Sequence, residues 1–156
     1  EEKFKNLPRP KMDIKFPDKL PIQEILEEKG FSIDGSTPVS IGKAVGKVVL
    51  IDGQADEQEK TFQLAQAWAS TKVKEPHEAV MAATMLMLHT GLSETVPDSV
   101  LEIIFLKVKT PKELSTAISK AGKAFREMAE ELETAIEKEV RTEKLKEIDE
   151  IDLELY

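Results

Sequence analysis

The chain has 156 residues, 40% of them apolar and 33% charged, with a formal net charge of −8, which describes one folded domain with its own hydrophobic core and excludes a disordered or membrane-embedded chain. There is no cysteine, so disulfides, thiol catalysis and cysteine-based zinc sites are excluded. The longest uncharged run, residues 79–93, is too short to cross a bilayer, and the opening residues EEKFKN carry charges where a signal peptide would place its apolar core.

In chain order, residues 1–20 contain Pro8, Pro10 and Pro17, which predict an extended N-terminal arm rather than a helix. Within it, Met12, Ile14 and Phe16 alternate as on a short strand. Pro21 and Gly30 bracket a short helix in PIQEILEEKG, and SIDGST reads as a turn. Residues 39–52 admit two readings. Val39, Ile41, Val45, Val48, Val49 and Ile51 favour a hairpin or strand pair, with Gly53 in the following turn. Ile41, Val45 and Val48 behind a cap at Ser36 or Thr37 would also suit a helix.

From residue 56 the signals are helical. Asp56 and Glu59 make a capping-box-like start to a helix reaching about Thr71, with Phe62, Ala65, Trp68 and Ala69 on its apolar stripe. Pro76 opens a helix ending near Gly91, apolar nearly all round from residue 79 to 88 and therefore central. Pro97 starts a segment rich enough in Ile, Val and Phe to pass for a buried strand, although its acidic start and Lys107/Lys109 end match helix polarity. Thr110, Pro111 and Glu113 then mark the start of the longest helix. Leu114, Ile118, Ala121, Phe125, Met128, Leu132 and Ala135 recur along it at intervals of four and three, a heptad seam. Continued to Val140 it would be about 45 Å long and would project beyond the bundle. Residues 148–156 alternate Ile151, Leu153 and Leu155 with Asp152 and Glu154, which predicts a C-terminal strand or tail.

These elements define a mainly α fold: a helical bundle over residues 21–147 with a long C-terminal amphipathic helix. A small β element would come from the N-terminal arm, residues 39–52 and the C-terminal strand.

The chemistry-bearing residues are sparse. His77 and His89 stand twelve residues apart, about 120° around a helix, and so do not share a face. No phosphate-cradling glycine pattern is present. Asp149, Glu150, Asp152 and Glu154 lack the glycine-bearing loop of a calcium site. No catalytic, cofactor-binding or metal-ligating residue is assigned, and no cofactor is expected.

Charge is unevenly placed. Residues 127–156 hold four bases against twelve acids, leaving the remainder neutral, while residues 107–126 hold six bases against one acid. Cations thus precede anions along the last helix, opposite to the helix dipole. This gradient predicts compensating contacts outside the helix. The candidate partner-binding residues are Lys112, Lys120, Lys123, Arg126, Glu130, Glu133, Glu137, Asp152 and Glu154. The expectation is a non-enzymatic structural or adaptor subunit of a protein assembly, homo-oligomeric or mixed, associating through the long helix and the extended termini. The alternative is an accessory subunit of a nucleic-acid-processing complex that contacts phosphates through residues 107–126. No membrane partner is expected. The location is read as cytoplasmic, or a virion if the chain is viral, and the Lys/Glu bias with a single Asn6 resembles proteins from hot environments.

Overall fold

The computed structural model describes residues 20–154, with side chains described through Lys146. The arm over residues 1–19 lies outside the described residues. Helix α1 (Ile22–Glu28) buries Ile22, Ile25 and Leu26, the three positions that its spacing places on one face. It ends on Gly30 at φ +95°, with Gly30 N–H donating to Glu27 O and Phe31 N–H to Leu26 O, so its last carbonyls are satisfied.

Three short strands follow: β1 (Ser32–Asp34), β2 (Lys43–Val45) and β3 (Val48–Leu50), in the order β1-β3-β2. Strands β2 and β3 form the hairpin favoured by the β-branched residues, with Val45 opposite Val48 and Gly46 at φ +61° in the two-residue turn. Strand β1 pairs parallel to β3, Ile33 opposite Val49. Ser32–Asp34 is therefore a strand rather than part of a turn, because its backbone pairs with β3. The turn begins after it, where Asp34 Oδ1 accepts from both the N–H (2.9 Å) and the hydroxyl (2.6 Å) of Ser36.

Helix α2 (Glu57–Ser70) is capped by Asp56, whose side chain accepts from Glu59 N–H. It buries Trp68 completely, and two of its glutamines reach from the core to the sheet loops. Gln66 Oε1 accepts from Gly42 N–H at 2.8 Å, and Gln63 Oε1 accepts from Asp52 N–H at 2.6 Å. These buried amides give loop backbone its hydrogen bonds where water is excluded. Helix α3 (Pro76–Thr90) is the central one, buried on most sides and stopped by Gly91 at φ +81°.

Helix α4 (Asp98–Lys107) is helical, not a buried strand. It packs on α3 and on no other described element, and only Val100 is fully covered. Helix α5 (Pro111–Glu154) is 44 residues long, about 66 Å at 1.5 Å per residue. Thr110 Oγ1 accepts from Glu113 N–H while the Glu113 carboxylate accepts from the N–H of Lys109, one residue before the cap, so two backbone donors at the helix start are satisfied.

Two expectations for α5 are corrected. Residues 148–154 are helical, not a strand. Ile148, Ile151 and Leu155 recur at three and four residues, so the same letters that alternate also fit a helix. No Gly or Pro after Gly122 interrupts a run of strong helix formers. The buried face is also rotated from the heptad seam: it consists of Ala117, Ala121, Ala124, Met128, Leu132 and Ile136, while Leu114 and Ile118 are exposed. Alanines over the first half of this face let the backbones of α3 and α5 approach closely, while Met128, Leu132 and Ile136, further along, fill the core.

Candidate functional site

Helix α5 rests on α3 in parallel. Glu78 near the start of α3 meets Lys120 at 4.0 Å, and His89 near its end meets Glu133 at 3.6 Å and packs edge-on against Phe125 at 5.4 Å. The acidic half of the helix is met by other elements too. Lys72, after α2, lies 3.4 Å from Glu127 and 3.5 Å from Glu131, and Lys29, after α1, lies 3.3 Å from Glu131. The contacts that offset the charge gradient thus lie outside the helix but largely inside the chain. Lys120 and Glu133 are among the predicted partner-binding residues engaged in this way. Lys112, Lys123, Arg126 and Glu130 are exposed with no ion pair among the described residues, and Glu137 is half-buried with an interaction of its own.

Asp152 and Glu154 stand on the helical backbone. Both positions lie on a helix rather than on the alternating strand that would have set them on one face.

Among the described side chains, Ile136 is the last buried one on α5. Every residue from 138 to 146 is exposed, including Val140 (44%) and Leu145 (62%). Where α5 leaves the body, a cleft of about 910 Å³ opens against α1, lined by both signs of charge, among them Glu24, Glu28 and Lys29 on one side and Lys138, Glu139 and Lys146 on the other. A second charge gradient runs along the rest of α5. Residues 138–146 contain four bases and two acids, whereas residues 147–154 contain five acids and no base.

The predicted chemical residues are not brought together. His77 lines a hollow of about 330 Å³ with Glu78, Lys107, Lys112 and Glu113, while His89 stands at the opposite end of α3. Both acids of that hollow are already engaged, Glu78 with Lys120 and Glu113 with the Lys109 backbone. Among the described residues no group of three or more His, Asp and Glu is placed to hold a metal ion, and no helix is long and apolar enough to cross a membrane. The basic stretch 107–126 is divided between this hollow and the outer surface of α5, with Lys120 turned toward Glu78.

Sequence reasoning missed the surface of α4, whose Phe105 and Leu106 are 68% and 70% exposed. Reading apolar density as burial hid them. The signal available was Glu102 and Asp98 on the same outward arc, charges that a buried strand would not carry. Comparison with protein-family models, with curated proteins and with solved structures gives no match to the chain.

Proposed function

We propose that the protein is a structural subunit of a larger assembly, and that the free part of α5 pairs antiparallel with the same segment of a second copy. The observation that carries this reading is that the α5 backbone continues about 27 Å beyond Ile136, at 1.5 Å per residue, and that Val140 and Leu145 on the first half of this extension are exposed. A single amphipathic helix of that length is stabilised mainly by packing against something else.

Charge complementarity supports a second copy as the partner. An antiparallel pair with its two-fold axis between residues 146 and 147 sets Leu145 at the level of Ile148 of the other copy. The same register sets Lys144 at the level of Asp149, Lys146 at that of Glu147 and Arg141 at that of Asp152, each pair occurring twice by symmetry. Two levels oppose it, Glu139 with Glu154 and Glu143 with Glu150, so unlike pairs outnumber like ones. Opposed basic and acidic halves also select the antiparallel arrangement over the parallel one, in which bases would face bases.

Paired charge reversals test this. A chain with Arg141→Glu and Lys144→Glu, and a second with Asp149→Lys and Asp152→Lys, should each self-associate more weakly than the unaltered chain. Mixed, they should associate with one another through the tails. Failure of the mixture to associate would overturn the antiparallel pairing.

A further inference from the structure

A second surface lies on α4. This helix has 10 residues, below the length at which an isolated helix is stable in water, and its cover inside the chain is slight. Val100 is buried and Ile104 is half-buried against the core, while α4 touches no described element other than α3. Its opposite side carries Leu101, Phe105 and Leu106, all exposed. Large apolar side chains clustered in the open on a charged molecule mark a contact surface more often than single scattered ones do.

We infer that this face of α4 is a self-association surface, in which α4 lies antiparallel on α4 of a second copy. The charge pattern selects that occupant. Asp98 and Glu102 occupy the first half of the helix, Lys107 its last residue and Lys109 the segment just beyond, all four exposed. An antiparallel arrangement about a two-fold between residues 103 and 104 sets Leu101 at the level of Leu106 of the other copy, and brings the Asp98 end of each helix toward the Lys107 end of the other. The acidic start of each helix then meets the basic end of the other, and the two helix dipoles oppose. A parallel pair, or a partner acidic throughout, would lose that match. The patch is small beside a standard stable interface, so the association is concentration-dependent.

This surface is distinct from the α5 tail and does not rest on the pairing proposed for it. With both, each chain has two different two-fold contacts, which build closed dihedral sets or open chains.

The test uses the full chain with tail pairing removed by Leu145→Glu and Ile148→Glu. In that background light scattering should show a mass rising with concentration from 17.5 kDa toward twice that value, and adding Phe105→Gln and Leu106→Gln should return it to 17.5 kDa at every concentration. A background chain that is monomeric throughout, or that still dimerises after the glutamine substitutions, overturns the inference. Because the chain has no cysteine, a second readout is available that does not depend on disrupting anything. A Leu101→Cys chain mixed with a Leu106→Cys chain should cross-link on mild oxidation well above a Lys43→Cys control on β2. Cross-linking no greater than the control also overturns it. If instead the tails fail to pair while this cross-link forms, the failure belongs to the α5 reading alone.

Discussion

Lys72 Nζ lies 3.5 Å from Oε1 of Glu131, joining the segment after α2 to the middle of α5. The same ammonium is 3.4 Å from Glu127, and Lys29 reaches Glu131 from the other side at 3.3 Å. A cluster of two lysines and two glutamates therefore fastens α5 to the body just before it leaves it. Acidic residues in this part of α5 are in place for the lysines of α1 and α2, and need no second molecule to account for them.

Lys72→Met should lower the stability of the body by on the order of 1 kcal/mol, the upper end for exposed pairs, because the side chain is largely covered and serves two carboxylates. Urea unfolding of the two chains measures the difference. It should shrink as salt is raised, since the lost contacts are ionic and partly exposed.

Gly42 is held against α2. A Cβ at this position would overlap the backbone carbonyl of Gln63, and the Gly42 N–H donates to the buried Gln66 amide. Gly42→Ala should therefore force the loop off the helix and cost about 2–4 kcal/mol, as overpacking combined with a strained loop does. Trp68, the single tryptophan and fully buried, reports this unfolding by its fluorescence.

Asp34 titrates below its ordinary value of 3.8, because the Ser36 hydroxyl and then the Ser36 backbone N–H donate to its carboxylate. A carboxyl group with a depressed folded-state pKa contributes stability above its unfolded pKa. That contribution is lost as pH falls through the lower folded value. The turn after β1 should thus hold its geometry at neutral pH and loosen below pH 3.8. Ser36→Ala should move the Asp34 midpoint upward in an NMR titration, and an unchanged midpoint would contradict the assignment of the hydroxyl as the main cause.

Substituting Thr110 by Ala should cost about 1 kcal/mol, the usual value of an N-cap, since its hydroxyl oxygen accepts the Glu113 N–H at 3.1 Å. Thermal unfolding followed by helical circular dichroism reads it. Thr110→Ser should keep most of the stability.

The elements most legible in the sequence are those fixed by local stereochemistry. Asp56, Pro76, Gly91 and Thr110-Pro111 each mark a helix end whose backbone requirement only a few residue types meet. The hairpin was the favoured of two readings, through the β-branched Val45, Val48 and Val49, but its third strand was not visible, because the pairing of Ile33 with Val49 depends on contacts that local sequence does not carry. The C-terminal segment misled because Ile148, Ile151, Leu153 and Leu155 satisfy both a period of two and a period near three and a half, and helix propensity decides between them. The buried face of α5 was rotated for a related reason. Weighting Leu114 and Ile118 above Ala117 and Ala124 assumes that the largest side chains face the core, whereas close helix approach needs the smallest. The candidate surface was legible as a charge gradient along α5, but which charges are answered within the chain required the positions of Lys29, Lys72 and His89.

Whether the α5 tails pair is decided by the solution mass of the full chain in light scattering, at about 50 mM and about 500 mM salt, beside the Leu145→Glu, Ile148→Glu variant. Pairing of the α5 tails predicts a mass well above 17.5 kDa at low salt, decreasing as salt rises, with the salt-dependent part absent from the variant. The same mass for the full chain and the variant at both salt concentrations would contradict it.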